Sequence, residues 1–320
     1  MQEQEPRLKH FPAPFFATIM GLGGFTIALE KAESTLGLPA GISPIFLWLS
    51  GLLFIAITIG YAAKWIRYPG AVKKEFNHPI RMNFFPAFSI AMLVLSIATL
   101  HDYHALSKYL WYTGTIIQLV LTIHILSEWI HQQHFEVQHS NPAWFIPVVG
   151  NILVPVAGVE HAAGEASWFF FSFGLVFWIL LQAIVLNRII FHHQPLPGKL
   201  LPTLFIMIAP PAVGFIAYTK LGGEIDTLAR VLYYTGLFIT LLLLAQFKYF
   251  TKLKFFLSWW AYSFPMAAMT IATMVMFEKT GQGWFQTLAW VLLGLLSVLI
   301  AILVVMTIRE MGRKGICVPE

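Results

Sequence analysis

Thr18, Asn83, Ser89, Asn151, Thr203, Ser263, Thr270 and Thr273 are neutral polar residues set inside long apolar stretches, and almost no Asp, Glu, Lys or Arg falls in the middle third of any such stretch. Hydroxyl and amide hydrogens in that setting can replace part of an anion's hydration shell, whereas a proton pump, a cation path or a voltage sensor would need buried carboxylates or a row of Arg. Each hydroxyl has an alternative use, a bond back to a carbonyl of its own helix. Asn83 and Asn151 need a protein partner or water in either case, because an unbonded amide is costly in hydrocarbon. His124, Glu128 and His131 recur at i, i+4 and i+7, which puts three possible metal ligands on one helix face. Their place at the end of an apolar stretch favours interfacial polar residues instead. A haem would need two facing histidines, and only His124 lies clearly inside a stretch. Cys317, the only cysteine, stands in a polar tail, which excludes an internal disulfide or a CxxC pair. No Gly-rich phosphate loop, GxSxG elbow or HExxH pair occurs, so neither an enzyme activity nor a cofactor is expected.

The elements that carry these residues follow from composition. The 320 residues are 58% apolar, 15% aromatic and 11% charged, with a mean hydropathy of +0.73; a soluble domain would hold about 25% charged residues. Stretches 13–31, 42–65, 83–100, 106–130, 143–160, 166–189, 200–219, 227–248, 255–277 and 284–309 can each cross a bilayer as a helix, for which about 20 residues suffice. The sequence thus predicts an all-α membrane protein of ten helices in one transmembrane domain, 1–320, with short tails at about 1–12 and 310–320 and no removable signal peptide. Proline is concentrated in the odd stretches, the even ones holding only Pro44, at the start of the second. Pro12 and Pro14 lead the first stretch, Pro86 lies in the third, Pro147 and Pro155 in the fifth, Pro202, Pro210 and Pro211 in the seventh and Pro265 in the ninth. Proline removes a backbone donor, and at membrane depth the freed carbonyls need neighbouring helices or a polar cavity. Five bent odd helices inside five straight even ones is the simplest arrangement, and a ring of bent helices around an axis implies a path.

Charge sets the orientation. With the amino terminus cytoplasmic, that side holds fifteen of the twenty Lys and Arg residues, leaving Lys31, Lys108, Lys220, Arg230 and Lys279 on the other. The positive-inside rule therefore places both termini in the cytoplasm. The basic residues flank the stretches without forming a folded basic face, so a nucleic-acid partner is not expected. Arg81, with Lys64, Lys73 and Lys74 nearby in sequence, would raise the local anion concentration at a cytoplasmic mouth; headgroup anchoring or a structural salt bridge is the alternative for Arg81.

Within Trp260-Ala261-Tyr262-Ser263-Phe264-Pro265, the proline biases Phe264 away from ideal helix and could turn its ring out of the packing row to plug a lumen. This segment, together with Phe76-Asn77-His78-Pro79-Ile80-Arg81-Met82-Asn83-Phe84-Phe85, Gly223-Glu224-Ile225-Asp226-Thr227-Leu228-Ala229, the opening Phe11-Pro12-Ala13-Pro14 and Asn151, resembles the tellurite-resistance/dicarboxylate transporter family. That family groups plant slow-type anion channels, bacterial tellurite-resistance permeases and fungal malate permeases. The resemblance covers almost the whole chain, departing from the bacterial permeases at Ala17, Thr18 and Ile19. It implies five helical hairpins with odd helices lining a central pore, a homotrimer with one pore per protomer, and a gate at Phe264. The expected function is a bacterial inner-membrane channel or permease for small anions, chloride, nitrate or C3–C4 dicarboxylates such as malate and malonate. Alternatives are a proton-coupled dicarboxylate transporter of the same fold, a haem or metal-binding redox protein, and a non-transporting scaffold.

Overall fold

In the computed structural model, residues 6–132, 135–161, 164–193 and 195–318 are described. Positions 1–5 and 319–320 of the two expected tails lie outside the described residues. Among the described residues ten helices are long and apolar enough to cross a membrane: Ala13–Thr35, Ser43–Arg67, Arg81–Ala98, His104–His131, Pro142–His161, Gly164–Phe191, Leu201–Lys220, Thr227–Ala245, Leu257–Thr280 and Gly283–Gly312, numbered here as spans 1 to 10. Among the described residues there is no strand, and the protein is a multi-pass, all-α membrane protein.

Burial separates the spans into two classes. In the most apolar part of each odd span 72–83% of residues are buried, against 22–39% in the even spans. Large apolar side chains such as Leu52, Ile116, Ile179, Phe238 and Val298 stand exposed on the even spans, as lipid-facing residues should. Contacts run from span 1 to 3, 3 to 5, 5 to 7, 7 to 9 and 9 back to 1, and each even span packs on the odd span before it. Five hairpins therefore place a closed ring of odd helices inside a shell of even ones.

The odd spans are composite in a way that proline alone did not disclose. Each carries 3-10 helix toward the end from which the chain enters and α-helix beyond it: Ala13–Phe15 before Phe16–Thr35, Arg81–Phe84 before Ala87–Ala98, Leu201–Ile208 before Ala209–Lys220, and Leu257–Tyr262 before Ser263–Thr280. Span 5 alternates twice, with 3-10 turns at Pro142–Trp144 and Gly150–Leu153. Pro155, Pro210, Pro211 and Pro265 all sit in the first turn of an α segment and Pro86 directly before one. There the missing N–H would have had no intrahelical partner in any case. The expected distortion at Phe264 is corrected by the same rule. Ser263 already has helical φ −73° and ψ −56°, and Phe264 follows it inside the α segment, so the irregular backbone lies one turn earlier, at Leu257–Tyr262.

Both termini meet on one face, hereafter the terminal face, where the Arg7 guanidinium donates to the Ile316 carbonyl at 2.7 Å. A short helix, Pro69–Phe76, lies between spans 2 and 3 and carries the buried Glu75. Its carboxylate accepts from the Ala13 amide (3.0 Å), the Tyr61 hydroxyl (3.1 Å) and the Lys64 ammonium (2.5 Å). Lys64 also donates to the Phe11 carbonyl at 2.7 Å. One carboxylate thus ties the start of span 1 to span 2. Lys64 is 3% exposed and neutralised by Glu75, so it does not add to an anion-attracting field, contrary to the sequence-based expectation; Lys73 and Lys74 are exposed.

At the opposite face, Asp226 caps span 8 by accepting from the Ala229 amide at 2.9 Å. That bond, and then the Tyr218 hydroxyl, hold its carboxyl below the usual carboxylate range. The Gly223–Ala229 segment is in this respect a helix start.

Removing one partner of a buried ion pair leaves the other uncompensated, at about 3–5 kcal/mol. Lys64→Met should therefore lower the thermal unfolding midpoint of the detergent-purified protein markedly. Lys64→Met/Glu75→Gln, which removes both charges, should recover a large part of the loss.

Candidate functional site

Inside the ring lies a cavity of about 50 Å³ bordered by residues of every odd span and of no even span, among them Met20, Ile90, Gly150, Pro210 and Phe264. All thirteen lining residues are apolar. No ionisable group borders it, in keeping with the neutral centre of the sequence. Phe264 is half-buried because its ring edges this space.

Of the sequence candidates, Phe264 borders the cavity and the polar ones do not. Thr18 donates to the Phe15 carbonyl, Thr203 to Leu200, Ser263 to Trp260, Thr270 to Met266 and Thr273 to Met269. All five are buried, and each bond runs three or four residues back along its own helix. The Asn83 amide nitrogen serves the Pro79 and Ile80 carbonyls at 2.9 and 3.2 Å. Asn83 Oδ1 and Asn151 Oδ1 are buried with no hydrogen-bond partner among the described residues. Arg81 is half-buried and opens span 3 on the terminal face.

Two candidates are brought together by residues of span 4 that the sequence reading passed over. Gln118 is fully buried. Its Oε1 lies 2.6 Å from Ser89 Oγ, and its Nε2 donates to the Ile146 and Pro147 carbonyls at 3.2 and 3.0 Å. Thr122 Oγ1 donates to the Pro147 carbonyl at 2.6 Å and accepts from Asn151 Nδ2 at 2.8 Å. Ser89, Gln118, Thr122 and Asn151 thus form one polar network joining spans 3, 4 and 5 behind the cavity wall. The Ile146 and Pro147 carbonyls take these side-chain donors where span 5 passes from the Phe145–Val149 α-helix to the Gly150–Leu153 3-10 turn. A stripe of Gly114, Gln118 and Thr122 at four-residue spacing on an otherwise lipid-facing helix was the available signal.

The histidines divide differently. His124 stacks on Phe76 with ring centroids 5.0 Å apart, and with Glu128, Asn77, Met82 and Gln132 they border a separate polar cavity of about 180 Å³. His131 turns back to the Ser127 carbonyl. Among the described residues no three His, Cys, Asp or Glu side chains are grouped to hold a metal. His161, at the far end of span 5, is buried, with Nε2 2.8 Å from Ser107 Oγ.

The profile of the SLAC1 family, described as voltage-dependent anion channel, matches residues 10–308. The chain belongs to the SLAC1 family. Among its relatives, the S-type anion channel SLAH2 of Arabidopsis thaliana is 33% identical over 276 residues, 84% of this chain and 53% of the relative. The chain therefore spans about half the length of that plant channel. The uncharacterized transporter MJ0762 of Methanocaldococcus jannaschii is 26% identical, covering 96% of this chain and 95% of the relative. The tellurite resistance protein TehA homolog of Haemophilus influenzae is 24% identical, covering 95% and 93%. Family membership thus extends over all ten spans of this SLAC1-family protein and both sides of its cavity.

The network behind that cavity makes a stability prediction. Gln118→Leu leaves the Ile146 carbonyl without its side-chain donor and Ser89 without its acceptor on span 4, at about 1–3 kcal/mol. Ser89→Ala, which leaves Gln118 its two carbonyls, should cost less. Thermal unfolding of the two variants in one detergent checks the order.

Proposed function

We propose that this SLAC1-family protein conducts small anions along the axis of its odd-helix ring, and that Phe264 is the gate. The observation that carries the reading is the cavity itself: five odd spans converge on it, none of its lining groups is ionisable, and Phe264 stands at its edge. A neutral, apolar constriction resists ions until it widens and wets. The names of the plant relatives, S-type anion channels, agree with an anion as the transported species. Chloride, nitrate and C3–C4 dicarboxylates such as malate or malonate are the proposed substrates.

Around this core stand further parts of the proposal. Thr18, Asn83, Ser89, Asn151, Ser263 and Thr270 are anion contacts made on opening, since at rest their hydrogens serve protein acceptors. Arg81, with Lys73 and Lys74, concentrates anions at the terminal face. That face is cytoplasmic in a bacterial inner membrane, supported by its fifteen Lys and Arg residues. The assembly is a homotrimer with one path per protomer, supported by the family resemblance. A proton-coupled transporter is the weaker reading, because no titratable side chain borders the cavity to carry the proton.

Anion efflux from proteoliposomes tests the gate. Phe264→Ala should raise resting efflux about tenfold or more, corresponding to ~1.4 kcal/mol or more of lost closed-state preference. Equal efflux from wild type and a correctly folded variant would remove the gate assignment. A pH gradient imposed at constant anion gradient should leave the flux unchanged; a proton-dependent flux would favour the coupled transporter.

A further inference from the structure

We infer that Gly24 of span 1 is the seat of the Phe264 ring, so that the resting position of the gate is set by span 1 as well as by the helix that carries it. This rests on the gate reading above. Spans 1 and 9 are neighbours in the ring, and they meet at a glycine where an added Cβ would be tight against its neighbours. A Cβ placed on Gly24 would lie 3.2 Å from Phe264 Cδ2, 3.1 Å from Ala267 Cβ and 3.9 Å from Phe264 Cα. The ring therefore lies between bare backbone of span 1 on one side and the cavity on the other.

The two neighbours of such a methyl group differ in how they can respond. Ala267 Cβ is one bond from the backbone of a buried helix and moves only with that helix. The Phe264 ring turns about χ1 and χ2, with open space on its cavity side, so the ring is what yields. A few tenths of an ångström suffice, because the contact is tight without being an overlap. Gly24 is a positioning residue in this account, acting on the path only through Phe264. Gly21 and Gly23 serve other contacts, with Ser263 and Val94 respectively.

The test compares resting anion efflux from proteoliposomes containing wild type, Gly24→Ala, Phe264→Ala, the double variant and Gly114→Ala. Gly114 is a control of similar crowding in span 4, where a Cβ would lie 3.1 Å from Met92 Cβ and from the Ser89 carbonyl oxygen. Gly24→Ala should raise efflux by up to about tenfold, the change that ~1.4 kcal/mol of lost seating makes to a two-state ratio. It should add nothing in the Phe264→Ala background, and Gly114→Ala should stay at the wild-type level. Wild-type efflux from folded Gly24→Ala, an equal increment without the ring, or an equal rise in Gly114→Ala overturns the inference. A second readout is independent of flux. With 4-fluorophenylalanine at position 264, Gly24→Ala should move the fluorine resonance and Gly114→Ala should not; an unmoved resonance in both removes the seat. If Phe264→Ala leaves efflux unchanged while the resonance moves with Gly24→Ala, the seat stands and the gate reading falls.

Discussion

Backbone groups at membrane depth must find their partners within the protein, and every odd span changes between 3-10 and α-helix along its length, with proline at or beside the change. A lipid-facing helix cannot do this without exposing carbonyls to hydrocarbon. The interrupted spans are therefore confined to the interior, and the uninterrupted ones are left to meet the lipid. The two-layer ring follows from that constraint. Span 5 has the most interruptions, with Pro147, Pro155 and two 3-10 turns, and its carbonyls draw donors from Gln118 and Thr122 of span 4. Span 4 is accordingly an even helix with a polar stripe on its inner side.

The same confinement shapes the interior chemistry. Most hydroxyls and amides on the inner helices are committed to nearby carbonyls, so the cavity between the helices is left to Met, Ile, Val, Leu, Pro and Phe side chains. Charge is kept at the ends. On the terminal face, Glu75 consumes the charge of Lys64 and fastens the first residue of span 1. At the opposite face, Lys31 of span 1 pairs with Glu278 of span 9 at 2.7 Å. That pair bridges spans 1 and 9 at the opposite face, away from the Gly24–Phe264 contact.

What could be read from the sequence tracks how local the physics is. Proline acts on its own turn, so the inner and outer classes were legible from its concentration in the odd stretches, the exception Pro44 standing only in the first turn of span 2, and span limits followed from length and hydropathy within a few residues. The 3-10 halves were not legible. A missing N–H says that the ladder breaks but not which geometry replaces it. The polar candidates were legible as residues that need partners, not as to which partner they take, because the same Ser serves its own helix at Ser263 and a second helix at Ser89. The pairing of Lys64, which takes it out of an anion-attracting field, was not legible, because Glu75 reaches it from a separate short helix where no spacing rule applies. Gly24 and Phe264 are far apart in sequence, and nothing local announces that one backbone is the other's backstop.

A cavity of about 50 Å³ has room for only a few waters, and its walls offer those waters no side-chain partner. Under the proposed function, an anion arriving at the terminal face would exchange full hydration for a nearly dry passage, which is costly even before the ring obstructs it. Closure then has two parts that reinforce each other, the ring at Phe264 and the dryness of the space it borders. Displacing the ring enlarges the space, and a larger space admits water, which lowers the cost for the ion. A small displacement of one aromatic side chain is in this way enough to change the passage disproportionately. The resting position of that side chain, set where span 9 crosses the bare backbone of span 1, is the quantity to which the proposed conduction is most sensitive.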